Sequence, residues 1–346
     1  MSASSNSFAI GLMRKLDLTQ ATPDDLTIRR RRQGRGFLYL KPDNAPVRDP
    51  RMLRRFASLA VPPAYADVRL AENARAHLQA VGRDAAGRIQ YRYHPEWRKV
   101  RESRKTRRLL RLARCMPRIR RALGRHLASD ELTREKALAG LIELVASSAI
   151  RAGSESYARE RGTRGAATLL KSNVSVDGNC VTLNFRAKGG QTVRKICKSR
   201  RLAAAIALLL QLPGRRLFQY RDADGVVRPL RRNDANRFLR DLAGEPISLK
   251  DFRTLAASAI AVDALTRTPP AESKRRRRSQ VMAALRNAAE ELDNTPTVCR
   301  KSYVNEIVVD AFECGILQRY SESLGMRRSP ARREAVLAQV LARAAA

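Results

Sequence analysis

The sequence predicts an α+β protein in two parts. A small, mainly-β N-terminal domain precedes a larger, mainly-α C-terminal region that holds a small three-stranded antiparallel sheet. Three observations carry this reading. Up to about residue 100, apolar residues alternate with polar ones or sit between Pro and Gly turn signals. Beyond that point they recur at helical spacing. Between 172 and 197, two glycine turns separate three short β-type runs.

Taken in order, residues 1–28 are small and polar and are expected to form a flexible N-terminus. Arg29 to Arg32 with Arg35 form a basic knot before GFLYLKP, a β-like run that Pro42 ends. Residues 29–100 make up the N-terminal domain. Inside it, Pro62-Pro63, Gly82 and the Gly87 turn punctuate the chain, and Ile89-Gln90-Tyr91-Arg92-Tyr93 alternates. Alternation puts Gln90 and Arg92 on one face and Tyr91 and Tyr93 on the other. Such a strand suits a surface lying along DNA, or equally an ordinary strand whose tyrosines are core.

The C-terminal region, residues 101–346, opens on a helical stripe of Leu109, Leu110, Leu112, Met116 and Ile119, with a break expected near Pro117. From Arg101 to Arg125 its other faces carry eleven Lys/Arg against one Glu. Like charges on one helix repel unless an anion neutralises them, so phosphate is the natural partner. Residues 130–150 form an amphipathic helix, with Leu138, Leu141, Ile142 and Val145 at i, i+3, i+4 and i+7. Arg151 at its end either complements the helix dipole or projects as a functional cation. Lys188 sits at the tip of the second hairpin, where it is either solvated or able to reach into a groove.

Ser199 caps a helix through Leu210, and Asn233 is expected to cap another that stops at Gly244. Asp222-Ala-Asp224-Gly225 reads as a hairpin turn. Ser248-Leu249-Lys250-Asp251 fits a capping box and opens a helix bearing Phe252, Leu255 and Ile260. Arg253 lies in its second turn, on the face of Lys250. Residues 266–279 (TRTPPAESKRRRRS) read as a mobile basic linker. A helix from about Gln280 to Leu292 then ends at Asp293-Asn294. Thr295-Pro296 bars its continuation, and Arg300-Lys301 leads into Tyr303. The remaining stretch is one or two helices with Leu337, Val340 and Leu341 as the last apolar stripe.

Composition limits the function. The net charge is +36, from 69 Lys+Arg against 33 Asp+Glu, which points to a polyanion and first to nucleic acid. No apolar run approaches the roughly 18–20 residues of a bilayer span, and no signal peptide is evident. The five cysteines form no metal-ligand spacing and read as reduced cytoplasmic thiols. His77, His94 and His126 all lie in the first part of the chain. A His-based metal site or a Ser-His-Asp hydrolase in the second half is therefore excluded, and no nucleotide-binding P-loop is present.

The segments VPPAYADV, HLQAVGRDAAGRIQYRYHPEW, IRAGSESYARERG, the Lys188 hairpin, SLKDFRT and NTPTVCRKSY stand in an order that resembles the compact poxvirus and bacterial type IB DNA topoisomerases. KDFRT and TPTVCRKSY at this separation are the most specific part. The resemblance implies relaxation of supercoiled duplex DNA through a 3′-phosphotyrosyl intermediate at Tyr303, without ATP, metal or other cofactor. It implies that Arg151 and Arg253 clamp the non-bridging phosphate oxygens, that Lys188 is the acid for the 5′ oxygen, and that Lys250 assists. Gln90, Tyr91 and Tyr93 would contact DNA from an N-terminal domain that closes over the duplex. It also implies a monomer acting on double-stranded DNA in the cytoplasm at the nucleoid, with no membrane. Asn294 stands where the family often has histidine, an uncharged donor to a phosphate oxygen. Leu255 replaces an aromatic, and Arg164 stands where an aromatic or apolar residue is expected. Tyrosine recombinases use a similar Arg-Lys-Arg-Tyr set but usually show an HxxR box, where this chain has Lys250-Asp251-Phe252-Arg253. A non-enzymatic nucleoid-type protein would share the charge but has no need of these ordered segments.

Overall fold

The computed structural model describes residues 3–325 and 329–344. The chain divides into two compact units, Met1–Lys105 and Thr106–Ala346. The division falls a few residues beyond the expected boundary, inside a continuous helix.

The first unit begins with helix α1 (Ala3–Lys15), where a loosely ordered terminus was expected. Its Ala9 and Met13 are buried with Leu18, Trp97 and Val100, and so these few apolar residues suffice to hold it. Strands β1 (Ile28–Gln33) and β2 (Gly36–Leu40), helix α2 (Pro50–Ser58), and strands β3 (Ala66–Leu70), β4 (Leu78–Arg83) and β5 (Ile89–Tyr93) follow. The strands form one antiparallel sheet in the order β2-β1-β3-β4-β5. The arginine run read as a knot is therefore a strand. Pairing on both sides overrides its poor β-pattern, and the Arg30 guanidinium donates to the Val61, Pro62 and Tyr65 carbonyls while lying 4.1 Å from the Phe37 ring centroid. Ile28, Val68, Leu70 and Ala80 pack on Phe56 of α2.

Helix α3 (Trp97–Ala128) runs unbroken through Pro117, contrary to the expected interruption. Proline forfeits one backbone bond there, but Met116 and Ile119 beside it are fully buried, and that packing outweighs the loss. Helix α4 (Arg134–Ser148) is buried almost all round and not on one face only. It is the central element of the second unit. Helix α5 (Glu155–Arg161) and the antiparallel sheet β6 (Val174–Asp177), β7 (Cys180–Arg186), β8 (Thr192–Lys198) come next.

Helix α6 (Arg200–Gln211) starts at Ser199, whose hydroxyl accepts from the Leu202 amide. A hairpin of β9 (Gln219–Arg221) and β10 (Val227–Pro229) turns at Asp222 to Gly225. Helix α7 (Arg232–Ala243) is capped at Arg231 and not at Asn233, because Asp234 supplies the carboxylate that accepts from the Arg231 amide. Helix α8 (Leu249–Thr266) follows.

Helix α9 (Lys274–Glu291) begins well before Gln280, and the basic run expected in a linker forms its opening turns. Ser273 caps it by accepting from the Arg276 amide, which leaves only about residues 267–273 between helices. Helices α10 (Pro296–Ser302), α11 (Glu306–Glu313), α12 (Ser321–Leu324) and α13 (Pro330–Arg343) complete the unit. Leu337, Val340 and Leu341 of α13 are buried as the apolar stripe predicts. Among the described residues, no helix is long and apolar enough to cross a membrane.

Candidate active site

Tyr303 is the residue at which α10 stops. Thr295 caps that short helix by accepting from the Val298 amide, Pro296 occupies its first turn, and Tyr303 takes the C-cap position. Behind it, the Ser258 hydroxyl of α8 donates to the Tyr303 carbonyl at 3.2 Å and accepts from the Asn305 amide at 3.1 Å. The Asn305 side chain in turn donates to Thr106 at 2.8 Å. The backbone on both sides of the phenol is thus tied to α8. The pairing of Ser258 with Asn305 was not read from the sequence. A polar residue two places after the tyrosine is its only trace.

Arg253 is only 3% exposed, although charged side chains are seldom buried. Its guanidinium carbon lies 4.9 Å from the centre of the Tyr303 ring. One terminal nitrogen donates to the Ala149 carbonyl, and the other to the Leu292 carbonyl at 2.8 Å, while Nε is buried without a partner. Ala149 can present its carbonyl this way because it ends α4 in the left-handed region, at φ 51°. A non-glycine residue there carries roughly 1–3 kcal/mol of strain, held by the surrounding fold.

Arg151 follows two residues later. It donates to Asn294 Oδ1 at 3.2 Å, and Asn294 Nδ2 donates to the same Leu292 carbonyl at 3.0 Å. Asn294 is set by the end of α9: its amide reaches back to the Ala289 carbonyl at 2.9 Å, with Asp293 at φ 48° in the turn. One hydrogen-bonded chain therefore joins Arg151, Asn294 and Arg253. Arg151 itself is fixed by a close backbone crossing. Its carbonyl accepts from the Ala166 amide at 2.8 Å, and Gly165 lies so near that a side chain there would meet the Arg151 carbonyl at 2.5 Å.

Lys250 stands in the first turn of α8. The box that opens this helix forms as predicted: Asp251 Oδ2 accepts from the Ser248 amide at 2.8 Å, from the Ser248 hydroxyl at 2.9 Å, and from Arg108 at 2.7 Å. Lys188 is exposed on the turn between β7 and β8, where Gly189 and Gly190 take φ of 88° and 80°. The sheet bearing that turn is pinned to the end of α9 by Lys195, which donates to the Glu291 carbonyl at 2.6 Å.

Arg151, Lys188, Lys250, Arg253 and Tyr303 line one cavity of about 630 Å³. Burial alone would raise the Tyr303 phenol. The Arg253 charge and its donor group, helped by Arg151 and Lys250, outweigh burial and bring the phenol below the ordinary tyrosine value. Burial in turn lowers Arg253, against the pull of Tyr303. The arrangement can bind a phosphate oxyanion and present a phenol with phenolate character to its phosphorus. Tyr157, Arg164 and Asn233 also face this cavity, and were not assigned to it from sequence.

In the first unit, Tyr91 and Tyr93 are 43% and 39% exposed, so that face of β5 is surface and not core. Their rings stack with centroids 6.1 Å apart, and Tyr93 stacks similarly on Trp97. Gln90 donates to Asp84 at 2.9 Å, which fixes its side chain on the opposite face. Among the described residues, no group of three or more His, Cys, Asp or Glu is placed to hold a metal ion.

Comparison with known proteins gives three findings. Residues 94–316 match the family described as eukaryotic DNA topoisomerase I, catalytic core. Residues 36–84 match the bacterial DNA topoisomerase IB N-terminal domain. The chain is 29% identical over 293 residues to DNA topoisomerase 1B of Acanthamoeba polyphaga mimivirus, across 83% of this chain and 87% of the viral protein.

Proposed function

This chain belongs to the type IB DNA topoisomerases, whose mechanism is relaxation of DNA through a phosphotyrosyl intermediate, and from that premise we propose which of its residues perform each step. Tyr303 Oη attacks a phosphorus of one strand. The P–O5′ bond breaks as the 3′-phosphotyrosyl ester forms, and the phenolic proton passes to solvent water. Arg151 and Arg253 hold the non-bridging oxygens, and Asn294 donates to a phosphate oxygen while its Oδ1 accepts from Arg151 and orients it. Lys188 gives a proton to the departing 5′ oxygen, and Lys250 adds positive charge near it. The ester keeps the energy of the broken bond, so the 5′ hydroxyl can attack it after strand rotation and reseal the duplex without ATP. Gln90, Tyr91 and Tyr93 contact the duplex from the N-terminal domain. The protein acts as a monomer on double-stranded chromosomal DNA in the cytoplasm.

The observation that carries this reading is the convergence on one phenol of cations from α8, from the loop after α4 and from the β7–β8 turn. A tyrosine recombinase would need the same centre. The match of residues 36–84 to a topoisomerase N-terminal domain favours relaxation over strand exchange. Plasmid relaxation in EDTA without ATP tests the proposal. The wild-type protein is expected to relax both the plasmid and its topoisomer ladder to completion. Tyr303→Phe is expected to bind DNA and leave it supercoiled, and relaxation by that variant would remove Tyr303 from the mechanism.

A further inference from the structure

The cavity wall holds two more cations to which the steps above give no task, Arg164 and Arg232, and Arg164 is the one tied to the segments that carry Arg151 and Lys188. Its position is set on both sides. Its own amide donates to the Arg186 carbonyl at 2.7 Å, two residues before Lys188. The next residue, Gly165, is the one packed against the backbone of Arg151 and Gly153. Arg164 therefore bridges the segments that carry Arg151 and Lys188, and its side chain lines the cavity they share.

Its surroundings are short of negative charge. The nearby carboxylate, Glu155, is engaged by Arg216, and Arg216 Nη1 is itself buried without a partner. The Arg164 side chain makes no hydrogen bond or ion pair among the described residues. Burial, Arg216 and Arg215 all disfavour its charged form, against the pull of Glu155 alone. A half-buried guanidinium in a surplus of like charge destabilises the unliganded fold, and an arriving anion reverses that penalty. A structural arginine would instead have found a carbonyl or carboxylate, as Arg253 and Arg108 do.

We propose that Arg164 binds a DNA phosphate adjacent to the scissile one on the cleaved strand, presenting its planar fork to the non-bridging oxygens. The proposal rests on the reading that cleavage occurs at Tyr303. It makes Arg164 a residue that sets where along the strand the duplex seats, separate from the clamp on the reacting phosphorus.

The test measures equilibrium DNA binding in the Tyr303→Phe background, on duplexes in which single phosphates are replaced by neutral methylphosphonates. On the unmodified duplex, Arg164→Gln is expected to weaken binding about tenfold or more and to lower the slope of log K against log salt by about one. That loss should vanish when a phosphate flanking the scissile one is neutralised, and persist when distant phosphates are. Arg164→Lys should recover the salt slope and part of the affinity. The thermal midpoint of Arg164→Gln should equal or exceed that of its parent, because repulsion has been removed. Unchanged binding by Arg164→Gln would overturn the proposal, as would an equal loss on every modified duplex or a lowered midpoint with no phosphate dependence. Relaxation by the wild-type protein and its absence in Tyr303→Phe, run in parallel, test the assignment of Tyr303 on their own. They can hold while the coupling to Arg164 fails.

Discussion

Arg253 shows how burial prepares one side chain for its chemistry. A guanidinium in water would have to be oriented and stripped of solvent when charge develops on phosphate. Here two carbonyls orient it, burial has already removed most of its contact with solvent, and Tyr303 lies against it. Replacing it by alanine is expected to slow single-turnover cleavage by roughly 10²–10³, with circular dichroism confirming that the variant remains folded. Lysine, a point charge that cannot satisfy both carbonyls, should recover only a fraction of the rate. The same cation holds the Tyr303 phenol low, so the sign of a second effect follows. Taking away a positive neighbour disfavours the phenolate and raises the pKa. In NMR of protein labelled at tyrosine Cζ, the resonance lost in Tyr303→Phe is expected to titrate below the ordinary tyrosine value, and to move up in Arg151→Ala. A resonance that titrates at or above that value would contradict the arrangement. The identity of Arg253 was legible in KDFRT, but its burial was not, because nothing local in a sequence says that carbonyls from α4 and α9 will meet a helix side chain. The contact of Arg151 with Asn294 was hidden for the same reason: 143 positions separate them, and only the turn at Asp293 closes the gap.

Helix α8 is the element on which the site depends. Its first turns carry Lys250 and Arg253, and Ser258 further along holds the tyrosine backbone. Where α8 begins therefore decides where two cations point. Asp251 sets that beginning, accepting from Ser248 and from Arg108 of α3. Asp251→Ala is expected to destabilise the protein by about 1–2 kcal/mol in denaturant titration, and to reduce the cleavage rate with little change in DNA affinity. An unaltered cleavage rate would mean that packing of Phe252 and Leu255 alone fixes the helix. This box was readable because a capping motif is local chemistry. The hairpin around Lys188 was readable too, since consecutive glycines announce backbone angles that other residues avoid. Elements with weak local signals were misread. The arginines of β1 hide a strand that only its two neighbours stabilise, α1 has few apolar residues, and the basic start of α9 resembles a linker in composition. In each case tertiary contacts or capping outweighed propensity.

At the scale of the whole molecule, an excess of cations is a statement about the partner. A net charge of +36 repels itself in the unbound protein, and much of that repulsion is relieved when phosphates displace their counterions onto it. Affinity measured with Tyr303→Phe, which separates binding from covalent capture, should fall about 10³-fold or more between 50 and 200 mM salt if six or more phosphates are neutralised. The N-terminal unit adds a contact of another kind. Tyr91 and Tyr93 present stacked aromatic faces on β5, and such contacts depend little on counterions. Replacing both by alanine is expected to weaken DNA binding while the salt slope stays the same. Cleavage of saturated DNA should keep its rate, since the reacting groups all lie in the other unit. That pairing of outcomes tells a binding surface from a catalytic one: a changed slope would place the tyrosines among the phosphate contacts, and a slower cleavage step at saturation would make the N-terminal unit part of the chemistry.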